Sequence, residues 1–390
     1  MTGIFDRYRV IDVDTHLSEP PDVWTARVSK KWGDRVPHVI KDPRGGPKEF
    51  WAIGDKPVMP TGIAAMAGFD GWIPEFPDTL ADAIPAAYDA QARLEHMDRE
   101  GIYAQVLYPN VGGFGSSRFL ELGEPELMLE CVRAYNDFLI EWCSADPQRL
   151  LPIMATPFWD VAASVKEIER CAATGHRGVL FGSQPHVFGQ PHLVDNHWDP
   201  VWAAAQAAEL PISFHIGSGD VSDLLGGGPG LGLRTGMARA CTQLFMENVG
   251  CISDLIFGGI CHRFPKLDFV SVESGVSWLL FAIEAFDWQW LNNGVTSEHP
   301  EYDLLPSEYF RRQIYGCFWF EDEGVKKAIE IFPDNILYET DFPHPTSMSP
   351  GPKSTAEHPR VYAERVLGQL PEDLIRKVVH ANAARVYHLD

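Results

Sequence analysis

Apolar residues in this chain fall into short runs separated by longer stretches of helical spacing. Eight runs predict β-strands: 8–14 (YRVIDVD), 104–109 (AQVLYP), 150–155 (LLPIMA), 178–182 (GVLFG), 211–216 (PISFHI), 268–273 (DFVSVE), 314–319 (IYGCFW) and 336–341 (ILYETD). Several are continuously apolar rather than alternating, as in strands of a parallel sheet covered on both faces. Helical spacing predicts helices over 86–100, 126–145, 160–174, 199–209, 236–250, 275–292, 322–332, 357–368 and 372–388. Proline and acidic residues mark several starts, as in DPVW (199–202) and PEDL (371–374). Eight strands with helices between them give an α/β fold, a (β/α)8 TIM barrel, with 1–390 as a single domain. A doubly wound open sheet is the structural alternative.

One connection breaks the rhythm. About ninety residues, rich in Pro, Gly and Trp, separate the first strand from the second. Within them HVIKDPRGGPKEFWAIGDKP (38–57) predicts a β-hairpin with its turn at 43–47, and FDGWIPEFPD (69–78) reads as irregular loop. Loops this long are usually functional or carry their own structure. The insertion 17–100 is therefore expected to cap the barrel mouth, with a peripheral oligomer arm as the competitor. A second long loop, 217–236, is glycine-rich but lacks GxxxxGK[ST] and any strand–GxGxxG–helix unit, which argues against a phosphate cradle.

Composition narrows the partners. Of 390 residues, 54 are Asp or Glu and 32 Lys or Arg, a formal charge of −22 with no basic run, so no nucleic-acid partner is expected. No apolar stretch approaches the roughly 20 residues of a membrane span, and the first residues lack a signal-peptide pattern. The seven cysteines (131, 143, 171, 241, 251, 261 and 317) form no CxxC pair and read as buried free thiols of a reducing compartment, so a cytoplasmic location is expected. Segment 275–292 is apolar around most of its circumference, more than one packing face requires, and predicts a homo-oligomer, a dimer in the simplest case.

In a (β/α)8 barrel the chemistry lies at the C-terminal strand ends. The first strand ends Asp12-Val-Asp14-Thr-His16, and alternation places Asp12, Asp14 and His16 on one side. The fifth ends in His215, the sixth in Glu273 and the eighth in Asp341, with His344 three residues on. Each alone has a structural explanation: a hydrogen-bonded histidine, or a cap in the case of Asp341. Four strands each ending in a ligand-type side chain point instead to a shared divalent cation. Asp12 and His344 are expected to support the ligands rather than join them.

These segments resemble the amidohydrolase superfamily, specifically the amidohydrolase-related branch that includes aminocarboxymuconate-semialdehyde decarboxylase. The matching motifs are VIDVDTH (10–16), PISFHIG (211–217), ILYETDFPH (336–344) and RFPKLDFVSVESG (263–275). The resemblance implies His16, His215 and Asp341 as metal ligands, with Asp341 able to take a proton from metal-bound water. Two positions depart from the family pattern: Asp14 stands for the first histidine of the HxH pair, and Glu273 for the common histidine of the sixth strand. The fourth strand also offers no Lys or Glu to bridge two metals.

Asp14, Glu273 and Asp341 together exceed the charge of one divalent ion, so either a second ion or a protonated Glu273 is required. Zn, Fe and Mn all suit such an oxygen-rich set. The main expectation is a metal-dependent hydrolase of an amide, ester or thioester, with activated water, Asp341 as general base, and Glu273 as second-metal ligand or general acid. The alternative is a metal-dependent non-oxidative decarboxylase of an aromatic or unsaturated carboxylic acid, with Arg44 or Arg234 assisting the substrate's charge. A non-catalytic metal-bound scaffold is the third reading. In each enzymatic case the partner is a small molecule.

Overall fold

The computed structural model describes residues 3–72, 75–221, 230–349 and 351–389. Eight parallel strands form the central sheet: β1 (Val10–His16), β5 (Ile102–Tyr108), β6 (Leu150–Met154), β7 (Gly178–Leu180), β8 (Ile212–His215), β9 (Phe269–Val272), β10 (Ile314–Phe318) and β11 (Ile336–Tyr338). Each pairs with the next in this order. The last closes onto the first, with Asp14 and Phe342 carbonyls accepting from Asp341 N (2.9 Å) and His16 N (2.7 Å). This is a (β/α)8 barrel, each strand within a few residues of its expected position.

Inward-pointing Ile11, Val13, Val106, Ile153, Val270 and Leu337 fill the barrel interior, and Val386 and Tyr387 of the C-terminal helix pack against them. Outward-pointing residues meet the helices in a second, larger core. Asp89 and Asp160 cap the helices Ala90–Glu100 and Val161–Thr174 by accepting from the third backbone N–H. All seven cysteines are free and six are buried.

Two helices differ from expectation. The helix expected over 236–250 is split into Leu233–Leu244 and Glu247–Phe257, because Phe245 turns between them to pack on Trp319 and Phe320. The helix expected over 372–388 is interrupted by a wide turn at Lys377–Ala381. The loop expected over 217–236 lies partly outside the described residues.

The insertion holds its own antiparallel sheet, β2 (Pro37–Lys41), β3 (Glu49–Ile53) and β4 (Lys56–Pro60). The first two form the expected hairpin, its turn fixed by Asp42 N donating to Lys48 O (2.8 Å). Beyond β4 the chain docks beside β11, with Met66 and Ala67 N–H groups donating to Pro343 O.

Candidate metal centre

Strict alternation does not hold along β1. Ile11 and Val13 face the interior, so Asp12 faces outward and accepts from Gln105 Nε2 (3.2 Å), Thr340 N (2.8 Å) and Thr340 Oγ1 (2.6 Å). A bulge between Asp12 and Thr15 then shifts the phase. Such an extra residue re-aims the side chains that follow it, and Asp14 and His16 turn toward the mouth. Asp12 is thus not on the same side as Asp14, correcting the sequence expectation. Its contacts with Thr340 place it behind Asp341. Burial and the neighbouring Asp14 push its carboxyl up to about 7, against the lowering effect of the Thr340 hydrogen bond.

At the mouth, Asp14, His16 and His215 meet, all fully buried. The His16 and His215 Nε2 atoms lie 3.1 Å apart, with Asp14 Oδ1 at 3.4 and 3.5 Å from them. Asp341 Oδ1 is 3.6 Å from His16 Nε2, and Glu273 Oε2 is 3.5 Å from His215 Nε2. His344 stacks on His16 with ring centres 3.7 Å apart. Its Nδ1 lies 2.8 Å from Asp341 Oδ1, out of hydrogen-bond alignment.

Tautomers follow from the other ring nitrogens. His16 Nδ1 faces Pro109 O (3.1 Å) and His215 Nδ1 faces Ile216 O (2.8 Å). A carbonyl only accepts, so both Nδ1 atoms carry hydrogen and, in the neutral rings, both Nε2 lone pairs converge. Both oxygens of Asp14 and both of Asp341 are buried without a hydrogen bond. A proton on His215 could bridge to His16, but it would leave these four oxygens unsatisfied. A divalent cation serves the lone pairs and the carboxylates together, so the donor set fits one.

Charge crowding is visible in each group. Burial raises Asp14, but His215 and His16 more than offset it and hold that carboxyl below the usual range. Burial pushes Glu273, Glu339 and Asp341 well above that range, and neighbouring carboxylates push them further. Burial takes His16 and His344 down to about 3, whereas Asp14 and Glu273 overcome burial to bring His215 up to about 9. Glu273 and Asp341 also hold left-handed backbone (φ 56° and 57°), a conformation that costs a non-glycine residue about 1–3 kcal/mol.

The two arginines proposed from sequence are elsewhere. Contrary to the sequence expectation, Arg44 sits in the β2–β3 turn, 79% exposed and paired with Asp42, outside the site. Arg234 pairs with Glu75 (3.4 Å) and stacks on Trp72. It lines a second pocket that shares His344 with the centre but is not among the described lining residues of the main cavity.

That cavity, of about 590 Å³, opens onto Glu273 and His344 between Met59, Phe114, Phe188 and Phe245. Sequence reasoning missed three supports around it. Glu339, two residues before Asp341, accepts from Glu273 N (3.2 Å). Asn110 donates to Leu17 O (2.7 Å), which turns its Oδ1 to His344 Nε2 (2.7 Å). Arg93 is buried and donates to the His16 carbonyl (2.6 Å), Gln105 Oε1 (3.1 Å) and Ala86 O (2.5 Å). Glu339 and Asn110 carry a signal that was available, polar residues at the end of an apolar strand. Arg93 looks like any surface residue of a helix.

The amidohydrolase family profile (Amidohydro_2) matches residues 11–389. The chain belongs to this family. It is an enzyme of the amidohydrolase superfamily, in the amidohydrolase-related branch that includes aminocarboxymuconate-semialdehyde decarboxylase. Over 289 residues, 68% of this chain and 84% of the relative, it is 25% identical to the gamma-resorcylate decarboxylase of Rhizobium radiobacter. An amidohydrolase from Mycobacterium avium subsp. paratuberculosis has a TM-score of 0.76 at 25% identity, covering 97% of this chain and 99% of that one. A dihydroxybenzoic acid decarboxylase from Polaromonas sp., solved with manganese and 2-nitroresorcinol, has a TM-score of 0.64 at 19% identity, covering 98% and 97%. The gamma-resorcylate decarboxylase relative favours the alternative expectation, decarboxylation, over the hydrolase.

Proposed function

We propose that this amidohydrolase is a divalent-metal-dependent, non-oxidative decarboxylase of hydroxy-substituted aromatic acids. The observation that carries it is the donor set, which serves one ion. The candidate triads Asp14–His16–His215, His16–Asp341–His344 and Asp14–Glu273–Asp341 all share members, so the described residues provide no independent second set. A two-metal hydrolase holds its ions about 3.5–4 Å apart across a bridging group, and the fourth strand here offers no Lys or Glu to bridge them. The similarity to gamma-resorcylate decarboxylases supports the same reading.

In this proposal Asp14, His16, His215 and Asp341 hold the cation, with manganese, iron and zinc all compatible with these ligands. When bound, the ion supplies positive charge to a substrate carboxylate and its adjacent hydroxyl. Phe114, packed on the His215 ring (centres 4.1 Å apart), and Phe188 and Phe245 form an apolar wall for an aromatic ring. Glu273, at the cavity wall and held protonated by burial and Asp341, donates its proton to the ring carbon. The carbon–carboxylate bond breaks, carbon dioxide leaves, and the Glu273 carboxylate regains a proton from water. Asp341 and His344 keep the proton at this edge of the site, with Asn110 fixing the His344 ring. Val58, Met59, Ile63 and Ala64 line the cavity, which supports reading 17–100 as a cap within a single domain.

Manganese-loaded protein incubated with 2,6-dihydroxybenzoate and a panel of other hydroxybenzoates is expected to release carbon dioxide and the corresponding phenol. Hydrolysis of ester, thioester or amide panels without any carbon dioxide release would overturn the proposal.

A further inference from the structure

The cavity contains a cation that the mechanism above does not use. Arg118 stands in the short helical turn Ser117–Leu122 beyond β5, half-buried in the wall. Its guanidinium makes no hydrogen bond, ion pair or ring stack with any described residue. Other buried or paired arginines show what is missing. Arg93 commits its donors to two carbonyls and Gln105, Arg170 pairs with Glu167 and Asp137, and Arg263 pairs with Asp199. Among the described residues lining the cavity, Arg118 is the sole Arg or Lys, and it shares those walls with Glu121, Asp220 and Glu273.

The loop that presents it is tightly built. Fully buried Glu19 accepts from Asn110 N (2.8 Å) and Val111 N (3.0 Å), and Arg118 N donates to Gly112 O (3.3 Å). Gly113 (φ 79°) and Ser116 (φ 62°) turn the chain through left-handed backbone so that Ser117 and Arg118 face the cavity. Burial lowers the guanidinium's pKa, but arginine keeps its proton. Glu121 and Glu19 act on it through space without pairing with it, so its fork of donors is left open to a carboxylate. An anionic substrate entering beside Asp14, Glu273 and Asp341 also needs a positive group besides the metal.

We propose that Arg118 is the specificity-determining residue of this cavity, binding the carboxylate of an aromatic acid and discriminating it from neutral aromatics of the same shape. The substrate class rests on the decarboxylase reading above.

Isothermal titration of the manganese-loaded protein with 2-hydroxybenzoate and its neutral partner, 2-hydroxybenzamide, tests this directly. Arg118→Gln is expected to weaken 2-hydroxybenzoate by roughly tenfold or more while leaving 2-hydroxybenzamide within about twofold, with Arg118→Lys between. Unchanged metal content and melting temperature show that the variants are folded. Equal weakening of both ligands, or of neither, overturns the proposal, and so does failure of the wild type to bind 2-hydroxybenzoate. Carbon dioxide release by the wild type separates the two claims: with release retained and the Arg118→Gln preference unaltered, the role of Arg118 fails and the decarboxylase reading stands.

Discussion

At the scale of single residues, the centre is shaped by groups denied their ordinary partners. Asp341 is fully buried, in left-handed backbone, with neither carboxylate oxygen hydrogen-bonded. Strain and lost hydration of this kind persist only where the surroundings enforce them. Asp341→Asn preserves shape but removes charge and the ability to hold a proton. Carbon dioxide release should fall by about 10²–10⁴-fold with the circular dichroism spectrum unchanged, and an unaffected rate would remove Asp341 from the mechanism. Away from the site, His176 offers a pH test. Its Nε2 is buried without a partner, and burial lowers its pKa to about 4. The unfolded chain binds this proton near pH 6.5 and the folded one only near 4, so stability falls as pH drops through that window. That single group accounts for at most about 3 kcal/mol. Urea denaturation of His176→Gln should accordingly show a smaller loss between pH 7 and 4.5 than the wild type; equal losses would contradict the assignment.

At the scale of elements, the connections matter as much as the strands. Glu19 ties the segment after β1 to the loop after β5 by accepting two buried backbone N–H groups. Glu19→Ala strands both donors, and each unsatisfied buried group costs about 1–3 kcal/mol, so chemical denaturation should show a loss of about 2–4 kcal/mol. A change below about 0.5 kcal/mol, the range of ordinary surface substitutions, would mean that the loop holds itself. The same elements show what was legible in the sequence. His16, His215 and Asp341 each end an apolar run that only a buried parallel strand explains, so both barrel and cluster could be read from pattern. The facing of Asp12 could not, because a bulge changes phase by one residue while leaving composition untouched. The break at Phe245 was hidden for a related reason: its aromatic ring suits a helix, and only Trp319 and Phe320, far along the chain, draw it out. Arg118 sits in a glycine- and serine-rich loop with no period at all, and no local signal separates it from an exposed arginine.

At the scale of the whole molecule, the barrel converts distance in sequence into proximity. Residues 14, 16, 215, 273 and 341 come from four strands, and closure of β11 onto β1 by the Asp341–Asp14 backbone hydrogen bond brings the first and last together. Outside, Phe281, Trp288 and Leu291 on helix Leu279–Asn293 are 79%, 65% and 65% exposed, whereas Leu279, Ile283 and Trp290 of the same helix are buried. An apolar exterior of this sort fits the homodimer expected from the sequence. Sedimentation equilibrium should return twice the 43.6 kDa chain mass, and a monomer across the micromolar range would contradict it.

In the proposed function these distant side chains enclose a single divalent ion. Elemental analysis of manganese-reconstituted, dialysed protein tests it most directly, with His16→Ala and His215→Ala measured alongside. Close to one equivalent is expected per wild-type chain, and little or none in either variant. Two equivalents in the wild type, or a content unaffected by both substitutions, would contradict it.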